Sequence, residues 1–220
     1  MKLISALIGC SLLLGMGACT QTSTSQDYTN FVNPFIGTGG HGHTYPGVVV
    51  PNGMIQPSPD TRIYQWDACS GYYYDDTSIM GFTHTHLSGT GIGDYGDILF
   101  MPVVGEKPLI AGTAENPDEG YRSRFSHEQE SARPGYYQVL LQDDSINVEL
   151  TATERCGIQR YTFPKAEAAI FLNLKKAMNW DFTNDSHIEV VDSVTIQGYR
   201  FSDGWARDQH IYFRTRFSKP

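Results

Sequence analysis

The segment YYQVLLQDDSINVELTATERCGIQRYTF, Tyr136–Phe163, decides the fold class. Tyr136–Leu141, Asn147–Thr153 and Gly157–Phe163 each mix aliphatic, aromatic and β-branched residues with polar ones in near alternation. A period of two sends alternate side chains to opposite faces of a strand, which suits a sheet buried on one side. Asp, Ser and Gly interrupt these runs every few residues, as turns between strands require. Outward from this segment, Met80–Thr85, Asp97–Met101, Ala168–Leu174, Ser193–Ile196 and His210–Phe217 have the same character. Only Ala166–Met178 has fair helix propensity, and its centre, AIFLNL, is strand-like too. Strands without intervening helices predict an all-β chain, an antiparallel β-sandwich.

Pro34–Asp97 is different: loop-heavy and loaded with Gly, His, Tyr and Asp. Gly37–Gly47, GTGGHGHTYPG, sets five glycines around His41 and His43. Glycine is needed where φ is positive or where backbone lies close against something else. A rigid loop presenting two imidazoles and the Tyr45 phenol follows. Gly81–Asp97, GFTHTHLSGTGIGDYGD, echoes it with His84 and His86. Between them lies Trp66-Asp67, then Cys69–Tyr74, CSGYYY. A sugar offers a CH-rich face and a ring of hydroxyls, so its site needs an aromatic platform beside carboxylates, amides or imidazoles. Binding residues concentrate on loops held by a scaffold. The candidate substrate-binding residues are therefore His41, His43, Trp66, Asp67, His84, His86 and Asp94. Tyr72 and Tyr74 read as core. Alternation puts His84 and His86 on one strand face, where His41, His43, Asp94 or Asp97 would complete a transition-metal shell. That makes a metallohydrolase the competing class, and a free-standing carbohydrate-binding module the other. No metal ligand is assigned.

Longer runs carry a family resemblance. They are VNPFIGTGGHGHTYPGVVVPNGMIQPSPDTR (Val32–Arg62), WDACSGYYYDDTSIMGFTHTHLSGTGIGDYGDILFMP (Trp66–Pro102) and SRFSHEQESARPGYYQVLL (Ser123–Leu141). LTATERCGIQRYTFP (Leu150–Pro164) and GYRFSDGWARDQHIYFRTRFSKP (Gly198–Pro220) continue them. From Tyr28 to Pro220 the chain resembles the N-terminal part of glycoside hydrolase family 92, the calcium-dependent, inverting exo-α-mannosidases. The resemblance implies an N-terminal β-sandwich, residues 28–220, ahead of an (α/α)6 catalytic barrel. It covers the first third of such enzymes. It also implies mannose-containing glycans as substrate, with sandwich loops closing over the barrel's pocket. An inverting glycosidase needs an acid and a base about 6.5–9.5 Å apart. No spacing among Asp60, Asp67, Asp75, Asp76, Asp94 and Asp97 marks such a pair. The resemblance places acid, base and calcium in the barrel, so no catalytic residue or cofactor is assigned here, and the chain alone is expected to be inactive.

Residues 1–19 read as an address. Lys2 precedes an apolar run, Leu3–Leu14, too short for a permanent membrane span. Small residues then lead to Cys19 in Met16-Gly17-Ala18-Cys19, which looks like a bacterial lipobox. Residues 20–27 form a polar tether. An exported lipoprotein, held in the periplasm or at the cell surface through lipidated Cys19, follows. Loss of the leader removes only Lys2 from 16 basic residues, against 24 acidic, for a net charge of −9. An acidic chain without a Lys/Arg cluster is not built to neutralise phosphates, so no nucleic-acid partner is expected. Cys69 and Cys156 remain, and export permits either a bridge or two buried thiols. Labelled palmitate should enter the unsubstituted protein in a bacterial host and not the Cys19→Ala variant. Equal labelling of both removes the lipoprotein assignment.

Overall fold

A computed structural model describes residues 26–164, 167–176 and 178–220. The leader, the Cys19 lipobox and most of the tether lie outside the described residues. The described strands are β1 (Ser58–Asp60), β2 (Ser78–Ile79), β3 (Gly81–Thr83), β4 (Leu99–Val104), β5 (Ser123–Arg124), β6 (Glu130–Arg133) and β7 (Tyr136–Leu141). They continue as β8 (Ile146–Ala152), β9 (Gly157–Thr162), β10 (Ala168–Asn173), β11 (Phe182–Asp192), β12 (Thr195–Asp203) and β13 (Gln209–Arg216). All pairings are antiparallel, in sheets ordered β1-β3-β4-β10, β6-β7-β8-β9 and β11-β12-β13, with a short β2-β5 pair.

The alternation in the deciding segment is real. Val139 faces Val148, Tyr137 faces Leu150 and Leu141 faces Ile146 across β7 and β8, and all six are buried. They share one core with Phe82, Leu99, Met101 and Val103 from the β1-β3-β4-β10 sheet. These two sheets make the expected sandwich. A second cluster lies on the other side of β4: Ile98, Phe100 and Leu174, packed by Ile196, Ile211 and Phe213 of the β11-β12-β13 sheet. With apolar neighbours on both faces, β4 carries an unbroken run, LFMPVV, rather than an alternating one.

The strand expected at Ala168–Leu174 is β10, with Ala166 and Ala177 outside the described residues. Two expectations need correction. Tyr74 is exposed and stacks on His127 at 4.0 Å, whereas Tyr72 is buried and donates its hydroxyl to Glu130 at 3.0 Å. The two cysteines are free, Cys69 buried and Cys156 exposed, so neither a bridge nor a pair of buried thiols is present. The eleven-residue β11 was not expected: its TNDSHIEVV is polar and largely exposed, so it carries no buried alternation.

The layers are joined by buried charge. Asp60 on β1 bonds Lys176 at 2.8 Å and His86 at 3.0 Å, all three side chains nearly inaccessible. Arg200 of β12, fully buried, pairs with Asp97 and, at 3.1 Å, with Asp181. Asp97 also accepts from Thr85 at 2.5 Å and from Gln209 at 3.0 Å. Burial alone would raise the Asp60 carboxyl, but Lys176 and His86 outweigh it and hold it at about 2. A folded value below the ordinary ~3.9 contributes stability that is complete above that value and is lost as pH falls towards 2. Removing one partner of a buried pair leaves the other unpaired, at about 3–5 kcal/mol. Asp60→Asn should lower the urea midpoint at pH 7 accordingly, and should flatten the loss of stability between pH 4 and 2. An unchanged midpoint contradicts this.

Candidate functional site

The Gly37–Gly47 loop closes on itself. Thr44 N–H donates to the Gly37 carbonyl at 3.2 Å, and the Thr44 hydroxyl to the Ile36 carbonyl at 2.9 Å. Other segments then fasten it. The Ser70 hydroxyl donates to the Thr44 carbonyl, and Gly89 N–H to the His43 carbonyl at 2.6 Å. Trp66-Asp67-Ala68 forms a single 3₁₀ turn. The Cys69 thiol donates to the Thr90 carbonyl at 2.9 Å. Three stretches distant in sequence, Gly37–Gly47, Trp66–Ser70 and Gly89–Gly91, therefore meet.

At their junction the indole of Trp66 is 55% exposed. The His43 ring meets it edge-on at 4.2 Å, and the His41 ring lies 5.4 Å away. His41 Nδ1 donates to Asp67 Oδ1, and His43 Nε2 stands 4.0 Å from the same oxygen. His43 is buried, and its Nε2 has no hydrogen-bond partner. Gly91 lies against the indole so closely that a Cβ there would collide with the ring nitrogen. Backbone strain collects here as well: His43 has φ 54° and Gln65, just before Trp66, has φ 78°. Non-glycine residues hold positive φ only where surrounding structure enforces it. The result is a fixed, half-open aromatic surface with a carboxylate and two imidazoles at its edge.

The other candidates lie inward. His86 is buried, its Nδ1 facing the Gln56 carbonyl at 2.8 Å and its Nε2 facing Asp60. Both partners are acceptors, so both ring nitrogens are spent. Its ring packs on Tyr45 at 4.9 Å, beneath the histidine loop. His84 Nδ1 donates to the Ile98 carbonyl at 2.8 Å, and its Nε2 meets the Gln159 amide at 3.0 Å. Burial pushes its pKa down. Strand β3 ends at Thr83, so the alternation that would pair these imidazoles does not govern them. Among the described residues no group of three or more His, Cys, Asp or Glu side chains is arranged to hold a metal. The shared shell of His84, His86, His41 and His43 needed for a metallohydrolase does not form.

Asp94 is buried and accepts Ala206 N–H at 2.8 Å, tying down the loop between β12 and β13. Burial pushes its carboxyl up, against the backbone amides of Ala206 and Trp205 that lower it. Asp76 pairs with Arg62, Asp97 with Arg200 and Asp60 with Lys176. Of the six carboxylates in the loop-rich half, only Asp67 and Asp75 reach the surface. The sequence reading missed Trp180 and Trp205, 51% and 69% exposed. Their signal was rarity: with Trp66 they are the three tryptophans of the chain, each in a polar or glycine-containing turn.

A sequence model described as the glycosyl hydrolase family 92 N-terminal domain matches residues 31–220. The structure of the family GH92 α-mannosidase BT3965 from Bacteroides thetaiotaomicron, in complex with mannoimidazole, is similar at TM-score 0.86 and 46% identity. That similarity covers 88% of this chain and 26% of the other. The family GH92 inverting mannosidase BT2199 of the same organism is similar at TM-score 0.68 and 29% identity, over 88% of this chain and 25% of its own. A relative from Arthroderma benhamiae, described as an uncharacterized secreted glycosidase, is 28% identical over 168 residues, 71% of this chain and 20% of the relative. The chain thus spans about a quarter of the length of the proteins it matches.

Proposed function

Because the chain belongs to glycosyl hydrolase family 92, matching its N-terminal domain from residue 31 to 220, we propose that it is the sugar-contacting N-terminal part of an exported inverting α-mannosidase. Its substrates are the terminal α-mannosides of glycans. The observation that carries the reading is the half-exposed Trp66 indole, fixed by His41, His43 and Gly91 and flanked by Asp67. An indole face binds the CH face of a pyranose, and a carboxylate beside it accepts from ring hydroxyls. His84, His86 and Asp94 support this surface from below. The similarity to a secreted glycosidase supports export, and Met1–Cys19 supplies the leader and lipid anchor.

We assign the general acid, the base and calcium to the rest of the enzyme, an (α/α)6 domain onto which these loops pack. Calcium takes six to eight oxygen ligands, whereas the buried carboxylates Asp60, Asp76 and Asp97 are held by Lys176, Arg62 and Arg200. That pairing supports placing calcium elsewhere. The part of the loops around Trp66 is to bind the sugar on the leaving side and to shield it from water. Trp66→Ala should weaken binding of α-mannobiose by about 1–3 kcal/mol in titration calorimetry. The chain alone, with calcium present, should release no mannose from α-mannobiose. Release above a buffer control, abolished by Asp67→Asn, overturns the division of labour.

A further inference from the structure

All three tryptophans of the chain are more than half exposed. Scattered apolar residues on a surface are ordinary, but a group around one segment marks a contact site. Here the segment is Gly91–Asp94. Gly91 lies on the Trp66 indole, and Gly93 lies against the side chain of Asn179, the neighbour of Trp180. Asp94 accepts from Ala206 and lies so close to Gly204 that a Cβ there would collide with its carboxylate, so it holds Trp205 from both sides. Gly91 and Asp94 are three residues apart, at most about 10 Å along the chain.

The turns that carry Trp180 and Trp205 also adjoin each other. Phe182 pairs with Asp203 at the start of β11. Just beyond that pair, the Asp181 Cβ lies within 3.2 Å of the position of a Gly204 Cβ. Among the described residues, two buried side-chain polar atoms lack a hydrogen-bond partner, His43 Nε2 and Asp181 Oδ1. One adjoins Trp66 and the other lies in the residue after Trp180. Asp181 Oδ2 is taken by Arg200, and Oδ1 is left without a donor beneath the turn that carries Trp180.

We propose that Trp180 and Trp205, on turns held by Asp181 and Asp94, form a second sugar-binding subsite, continuous with the Trp66 surface, that reads the units of a mannose-containing glycan beyond the first two. This rests on the Trp66 reading above. The acids Asp94, Asp97 and Asp181 outnumber Arg200, the cation paired with two of them, which disfavours an anionic ligand in this corner, whereas a neutral polyol with CH faces matches the exposed indoles.

The test titrates the full chain with α-mannobiose and with an α-linked mannotetraose, by calorimetry and by acrylamide quenching of tryptophan fluorescence. The tetraose should bind more tightly. Trp205→Ala and Trp180→Ala should leave mannobiose affinity within about twofold and weaken the tetraose by roughly 5- to 150-fold. Trp205→Phe, which keeps an aromatic face, should retain most of the tetraose affinity and serves where the alanine variant fails to fold. Equal affinity for the two sugars, or a tetraose indifferent to both substitutions, overturns the second subsite while leaving the first. Indifference of both sugars to Trp66→Ala sinks the first reading instead. A tetraose that protects Trp66 but not Trp205 from acrylamide means that Trp205 faces another part of the polypeptide, and also overturns the proposal.

Discussion

Arg200 is the constraint on which the arrangement depends. A guanidinium with no access to water is costly unless every direction is met by an acceptor. Asp97, Asp181 and the Thr183 hydroxyl meet it. Asp97 lies just ahead of β4 and Asp181 in the turn before β11, so one cation fastens the β11-β12-β13 sheet to the end of the central sheet. Asp60, Lys176 and His86 make a parallel fastening between β1, the segment after β10 and the segment after β3. Buried ion pairs are weak evidence of net stability, but breaking one is strongly unfavourable. These pairs therefore fix where loops sit more than they strengthen the core. The loops they fix are the ones that surround Trp66.

The carboxylates divide accordingly. Those needed to hold the frame are buried and matched with cations or backbone amides. Asp67 is left at the surface, bonded to the exposed His41 and within reach of a ligand. Positive φ at His43 and Gln65 falls in these same loops, on either side of the indole. Strain held there by surrounding structure is what a pre-shaped binding surface requires.

Much of this was legible in the sequence, and the failures have physical causes. Tyr136–Leu141 was found to the residue because one face of β7 is buried and the other is not. β11 was invisible because it is largely exposed and has no buried face to impose a period. Glycine density marked Gly37–Gly47 and Gly81–Asp97 as close-packed loops, but the meeting of His41, His43, Trp66 and Asp67 is a tertiary contact that leaves no local pattern. His84 and His86 looked the same as ligands because an imidazole spent on a backbone carbonyl or on Asp60 leaves no local pattern. The Asp60–Lys176 pair spans 116 residues, beyond any motif. Trp180 and Trp205 joined the picture only through the contacts of Gly93 and Asp94 with their turns.

The most direct measurement is a crystal structure of the chain with α-mannobiose. We expect one pyranose to lie against the exposed indole of Trp66, with a hydroxyl at hydrogen-bond distance from Asp67. A disaccharide bound elsewhere with Trp66 untouched, or a Trp66 side chain turned into the core, would contradict the assignment.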